Sequence, residues 1–148
     1  MTARGPLNDL AGLYGVSTSF TDYRGANIEV SEDTLIKVLR ALDVDLGEGD
    51  PTDDQLNAAI NRFHDREFSR PLPPCVVAVQ SEERVFPIHV HDGQPAKVFI
   101  ELDSGERREA VQVDNWAQPR TVEGVAWGEA SFKIPGDLPL GWHQVHLE

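Results

Sequence analysis

The sequence predicts an α+β protein in which a small N-terminal helical subdomain of about three helices is followed by an antiparallel immunoglobulin-like β-sandwich. Apolar residues recur at helical spacing through the first 70 residues, and after residue 74 they alternate with polar residues as in strands. The proline-rich segment 70–74, with the sequence RPLPP, separates the two patterns. We therefore expect a helical subdomain over residues 1–70 and a β-sandwich subdomain over residues 71–148.

The first two predicted helices are short and amphipathic. An apolar stripe over residues 6–15 predicts the first, and residues 15–28 after it are expected to be irregular. Ser31 is a favourable N-cap, and two acidic residues follow it where the helix dipole favours negative charge. This pattern predicts a second helix that ends near Asp43, and the charged residues 43–54 are expected to form a solvated loop.

The third predicted helix begins with Asp50 as its cap and Pro51 as its first helical residue. It is expected to end between residues 66 and 70, because Pro71 disfavours helical geometry at the residue before it. A DNA-reading helix-turn-helix is a weaker interpretation of this region, because its candidate second helix carries few surface cations.

Composition excludes several classes of function. The chain has 25 acidic and 13 basic residues and a formal charge of −12, which argues against nucleic acid and anionic membrane surfaces as partners. No apolar run approaches the ~20 residues of a membrane span, and the N-terminus lacks the apolar core of a signal peptide. Cys75 is the single cysteine, so it forms no internal disulfide, and a cytoplasmic, reducing location is expected.

The second half predicts about seven short strands, each bounded by turn residues. The apolar run over residues 75–79 predicts a buried strand in which Cys75 is a small core side chain. In later strands Ile100, Phe132 and Ile134 alternate with polar residues and are expected to face the core. There is no cysteine pair, so the predicted sandwich is not of the disulfide-pinned antibody type.

The sequence contains only weak signals for catalytic and metal-binding groups. The neighbouring acids at 53 and 54, at 82 and 83, and at 101 and 103 fit a solvated surface better than a catalytic pair, which needs two carboxyls facing each other across a sugar-sized cleft. His89 and His91 share one face of a predicted strand and could begin a zinc or copper site, yet no third ligand is evident nearby. We therefore predict no catalytic residue, no metal and no cofactor for this chain.

Five ordered segments resemble one known family. They are LAGLYGV (10–16), YRG (23–25), EVSEDTL (29–35), RPLPP (70–74) and LPLGWH (138–143). Together they resemble the N-terminal region of bacterial amylomaltases, the 4-α-glucanotransferases of glycoside hydrolase family 77, in the actinobacterial type with an extended N-terminus. The last segment resembles the family's LP-x-GYH strand, with Trp142 in place of the commoner tyrosine.

The resemblance implies a parent enzyme that transfers α-1,4-glucan segments between malto-oligosaccharides by retaining chemistry with two carboxyl groups. It implies that this chemistry sits at the C-terminal face of a (β/α)₈ barrel, which takes ~250 residues and is absent from this chain. We therefore expect a non-catalytic N-terminal accessory region whose partner is the catalytic barrel of the same polypeptide. The alternatives are a maltodextrin-binding module and an independent protein-interaction domain.

The tryptophans are the main candidates for a contact surface. Strand alternation places Trp142 and Gln144 on the outer face of the last strand, and Trp127 on the outer face of an earlier one, while Trp116 stands in a polar loop. We expect them to dock on the helical subdomain or the barrel, with self-association and a maltodextrin platform as alternatives. A platform would require Trp127 and Trp142 to lie on neighbouring strands.

Tyr23 and Arg24 are candidates for a second contact patch. They lie in the loop before the second predicted helix, beside Phe20. One interpretation is a contact patch for the barrel. The interpretation that we favour is that Tyr23 and Phe20 cap the small helical core.

Overall fold

The computed structural model describes residues 5–148 and divides into two compact units, one ending at His64 and the other spanning Asp65–Glu148. The α+β class and the antiparallel sandwich are confirmed. The elements in chain order are α1 (Gly5–Leu13), β1 (Ser19–Thr21), β2 (Asn27–Glu29), α2 (Glu32–Ala41), α3 (Asp53–Phe68), β3 (Arg84–His91), β4 (Val98–Glu101), β5 (Arg107–Glu109), β6 (Val111–Val113), β7 (Arg120–Val122), β8 (Val125–Ile134) and β9 (Gln144–Leu147).

The first unit encloses a core of leucines. The Ser31 hydroxyl accepts a hydrogen bond from the Thr34 N–H at 3.3 Å and caps α2, as its sequence predicts. Because apolar residues recur every three or four positions, each helix has one apolar face, and this face packs into the core. The side chains that are fully buried in this core include Leu7, Leu10, Leu35, Leu39 and Leu56.

The helix α3 begins later than expected. The prediction of Asp50 as cap and Pro51 as first helical residue is wrong, because Thr52 and Gln55 form the cap instead. The Thr52 N–H donates to the Gln55 Oε1 at 2.8 Å, and the Gln55 N–H donates to the Thr52 Oγ1 at 3.3 Å, which is a capping box. The T-x-x-Q pattern in the sequence is the signal that was missed.

The segment 43–54 is more than a solvated loop. Leu46 is only 1% exposed and belongs to the leucine core. The guanidinium of Arg40 donates to the Gly47 carbonyl at 2.8 Å, and that of Arg62 donates to the Asp45 carbonyl at 2.6 Å. The charged side chains of this segment are exposed as expected, but buried apolar side chains, Val44 and Leu46 among them, and two arginines fix the loop.

The second unit is built from two antiparallel sheets. One has the strand order β3-β8-β6, with β7 also paired to β8, and the other has the order β5-β4-β9. The long strand β8 joins β7 through a two-residue turn at Glu123 and Gly124, whose φ angles of 50° and 81° are those of a tight hairpin turn. The buried side chains of this core include Phe86, Ile88, Val98, Ile100, Phe132 and Ile134.

The predicted strand at residues 75–79 does not form. This segment has no strand partner in the described chain, Cys75 is exposed, and Val77 and Val79 are 76% and 62% exposed. Val76 alone packs against the sandwich core. Prolines 73 and 74 have no N–H to donate to a neighbouring strand, which explains why pairing cannot begin where the segment starts.

No helix among residues 5–148 combines the length and apolar character that crossing a membrane requires.

Candidate functional site

The second unit carries an open cleft of about 680 Å³. Its walls are formed by residues 72–80 on one side and by residues 134–136 and 138–145 on the other, and its floor reaches the core side chains Phe86 and Ile100. No aspartate, glutamate, lysine or arginine within the described residues lines it, although such residues make up 26% of the chain. The cleft is therefore an uncharged and mainly apolar surface on a strongly acidic chain.

A network of hydrogen bonds holds the loop 138–143 at the rim of this cleft. The Asp103 carboxylate accepts the Trp142 N–H at 3.1 Å. The imidazole of His143 lies 2.9 Å from the Pro139 carbonyl through Nε2, and its Nδ1 lies 3.3 Å from the Asp103 N–H. These partners place the imidazole proton on Nε2, which donates, while Nδ1 accepts.

Gly141 completes this loop because the space beside it is filled. A Cβ at this position would overlap the Asp103 carboxylate and would lie 3.0 Å from the His143 Cε1. The structure therefore explains why a glycine and a histidine occupy positions 141 and 143 of the LPLGWH segment. The glycine lets Asp103 approach closely, and the histidine hydrogen-bonds on both sides. The consequence is that Leu140 and Trp142 are held 78% and 88% exposed.

Trp142 and Gln144 lie close together in the chain at this rim. Strand β9 begins at Gln144, which pairs with Glu101 of β4, so Trp142 precedes the strand. The expected position of Trp142 within a strand is therefore wrong, and its exposure follows from the loop conformation. The side chain of Gln144 is exposed.

Trp127 belongs to a different sheet from the one that contains β9. It lies in β8, is half-buried, and makes an edge contact with His91 at a centroid distance of 4.9 Å. Because Trp127 and Trp142 do not lie on neighbouring strands, the arrangement that a sugar platform would require is not present. Trp116 is 87% exposed in the segment between β6 and β7.

The face of β3 and β8 that carries the two histidines is partly covered. His89 lies 3.2 Å from the Glu129 carboxylate through Nε2 and 3.1 Å from the Arg70 carbonyl through Nδ1. The ring of Phe68 stacks on His89 at a centroid distance of 4.4 Å. Within residues 5–148, no three His, Cys, Asp or Glu side chains are grouped as a metal site would require.

Tyr23 and Arg24 occupy the tip of a β-hairpin in the first unit. The predicted irregular segment contains β1 and β2, and the Asp22 carboxylate accepts the N–H groups of Arg24 and Ala26 at 2.8 and 2.9 Å. Tyr23 is 88% exposed and Phe20 is 54% exposed, so the expectation that they cap the helical core is wrong. The Arg24 guanidinium lies over the Tyr23 ring at 5.1 Å.

The acidic pairs considered for catalysis lie outside the cleft lining. Asp53 and Asp54 occupy the first turn of α3, where the helix dipole favours them. Glu83 pairs with Lys133 at 2.8 Å, and Glu101 lies 3.1 Å from His146. These contacts are typical of acids that serve structure and solvation.

The two packed antiparallel sheets define a β-sandwich domain, and the apolar cleft lies on its surface. The chain belongs to the family described as the MalQ N-terminal beta sandwich domain, which matches residues 71–148. The resemblance predicted from the sequence segments is thereby confirmed.

Individual proteins match nearly the whole chain. The 4-alpha-glucanotransferases of Mycobacterium tuberculosis and Mycobacterium bovis are each 42% identical to it over 149 aligned residues, which cover 99% of this chain and 20% of each relative. The crystal structure of amylomaltase from Corynebacterium glutamicum is 63% identical with a TM-score of 0.91, covering 99% of this chain and 21% of that one. The chain thus spans about a fifth of the length of the curated relatives it matches.

The exposed Val77, Val79 and Leu140 were missing from the candidates predicted from sequence. The apolar run at 75–79 was recognised, but apolarity alone could not distinguish a core strand from an exposed wall of a cleft. Leu140 belongs to a loop that is hydrogen-bonded to Asp103, 37 positions away from Leu140 in the sequence.

Proposed function

We propose that the chain is the non-catalytic N-terminal accessory region of a 4-α-glucanotransferase that transfers α-1,4-glucan segments between malto-oligosaccharides. The observation that carries this proposal is coverage: 99% of the chain aligns with only 20% or 21% of proteins that bear the names 4-alpha-glucanotransferase and amylomaltase. The remaining four-fifths of such a protein would supply the catalytic barrel, which would be the partner of this region.

The positions of the acidic groups support an accessory role. A retaining mechanism requires two carboxyl groups about 5–5.5 Å apart on either side of a bound sugar. The cleft of this chain is lined by no acidic residue in the part that the structure describes. In this proposal glucosyl transfer takes place on the barrel, and this region supplies packing and positioning. The exposed thiol of Cys75 is compatible with the cytoplasmic location that we propose.

A maltodextrin-binding module remains the alternative proposal, and the exposed Trp142 is the observation in its favour. Sugar platforms combine an aromatic plane with several hydrogen-bonding side chains. At this rim Gln144 is the polar side chain beside Trp142, whereas both nitrogens of His143 already have partners. This balance favours a protein partner over a sugar.

The complete coding sequence tests the proposal. Reading past codon 148 should reveal a continuous frame long enough to encode a barrel of ~250 residues or more. A natural stop codon directly after codon 148 would remove the basis for the proposal.

A further inference from the structure

The cleft is a gap in the sandwich, with unpaired backbone groups along its walls, where an additional strand could bind. Along one wall, the backbone groups of residues 72–78 have no hydrogen-bond partner in the described chain. Along the other wall, β9 is the outer strand of its sheet, so one of its edges is unpaired. Unpaired strand edges bind extended segments by adding a strand, with main-chain hydrogen bonds for affinity and side-chain pockets for specificity.

The floor and rim of the cleft favour an apolar occupant. Phe86, Ile100 and Ile134 belong to the core and also line the cleft, so an inserted side chain would reach the core directly. Leu140 and Trp142 are exposed on the hydrogen-bonded rim loop and are available to contact the occupant. Because hydrogen bonds already hold the backbone of this loop, ordering it on binding costs less conformational entropy than ordering a free loop would.

Charge distinguishes between possible occupants. A second copy of this chain would bring together two bodies that each carry a formal charge of −12, which costs electrostatic repulsion. A malto-oligosaccharide could hydrogen-bond to Gln80, Gln144 and the unpaired backbone groups, but many of its hydroxyl groups would face valine, leucine and proline side chains. An extended apolar segment of a protein meets neither obstacle.

We propose that this cleft docks an extended apolar segment of the catalytic domain, which adds a strand between residues 75–78 and β9. This inference rests on the proposed function, under which the catalytic domain belongs to the same polypeptide. A covalently attached partner is present at a high effective concentration, so even a small apolar contact is occupied. The four-fifths of each relative that lies outside the matched region provides ample chain for such a segment.

Cys75 is a natural probe for this docking, because it lines the cleft, is exposed, and is the single cysteine of the chain. We expect N-ethylmaleimide to modify Cys75 readily in the 148-residue chain. In the complete polypeptide the rate should fall by about tenfold or more, because the thiol then reacts only when the docked segment opens. Peptide mass spectrometry would assign the label to Cys75 in both proteins.

Matched variants make the test specific to the cleft. The double variant Leu140→Ser, Trp142→Ser should restore fast labelling of Cys75 in the complete polypeptide, whereas Trp116→Ser should leave the protection unchanged. Trp142 and Trp116 are 88% and 87% exposed, so both substitutions are expected to spare the fold, which circular dichroism would verify. As a second control, a cysteine placed by Val111→Cys in a Cys75→Ser background should be labelled equally fast in the short and complete chains.

The outcomes separate this inference from the proposed function when glucan transfer is measured on the same samples. Active enzyme with an unprotected Cys75 overturns the docking inference and leaves the proposed function standing. A complete polypeptide without glucan transfer overturns the proposed function, and with it this inference. In the short chain, protection of Cys75 that rises with protein concentration, or that requires maltoheptaose, would assign the cleft to a second copy or to sugar and overturn the inference.

Discussion

Leu39→Ala is expected to destabilise the first unit by about 2–5 kcal/mol, because it removes a buried side chain and leaves a cavity. Leu39 is fully buried among the leucines that join α1 and α2. A unit of this size has few other apolar contacts with which to compensate. Urea unfolding followed by circular dichroism at 222 nm measures this loss of unfolding free energy. The helices α1 and α2 and most of α3 lie in the first unit, so this unit gives most of the signal.

Val38→Ala is the matched control for Leu39→Ala. Val38 is the adjacent residue of α2 and is 37% exposed. Alanine also has a higher helix propensity than valine, so the change in unfolding free energy should stay below about 1 kcal/mol. Equal losses for the two variants would contradict the described orientation of α2.

Phe132→Ala should destabilise the second unit by about 3–5 kcal/mol, the range found for buried aromatic residues. Phe132 lies on β8, is 3% exposed, and pairs with Phe86 of β3. All three tryptophans of the chain belong to this unit, so a urea titration followed by tryptophan fluorescence reports its unfolding.

Val111→Ala provides the comparison for Phe132→Ala. Val111 lies on β6 beside the same strand and is 61% exposed, so its truncation should cost less than about 1 kcal/mol. If Phe132→Ala were as mild as Val111→Ala, the placement of the Phe132 side chain in the sandwich core would be wrong.

The parts of the fold that follow from local chemistry could be predicted from the sequence. Ser31 caps a helix whichever way the rest of the chain folds, and the alternation that places Phe132 and Ile134 inward follows from the strand period of two. The β1–β2 hairpin was missed because no apolar alternation marks its strands, and its turn depends on the Asp22 carboxylate, which accepts hydrogen bonds from the N–H groups of Arg24 and Ala26.

The parts of the candidate site that depend on distant contacts could not be predicted. The exposure of Trp142 was expected, but its cause was not, because the loop is held by Asp103 from another strand connection. The run at 75–79 has the composition of a core strand, and only the structure shows that Val77 and Val79 face solvent. Disagreement between local patterns and the observed fold is common at functional sites, and the docking that we propose for this cleft is consistent with that.

The proposed function holds that the chain is part of a glucan-transferring enzyme yet performs no transfer itself. Incubation with maltotriose tests it most directly, with glucose and longer malto-oligosaccharides as the products to be measured. The 148-residue chain should leave maltotriose unchanged, whereas the complete polypeptide should convert it. Conversion by the short chain, abolished by substituting its own carboxylates, would contradict the claim.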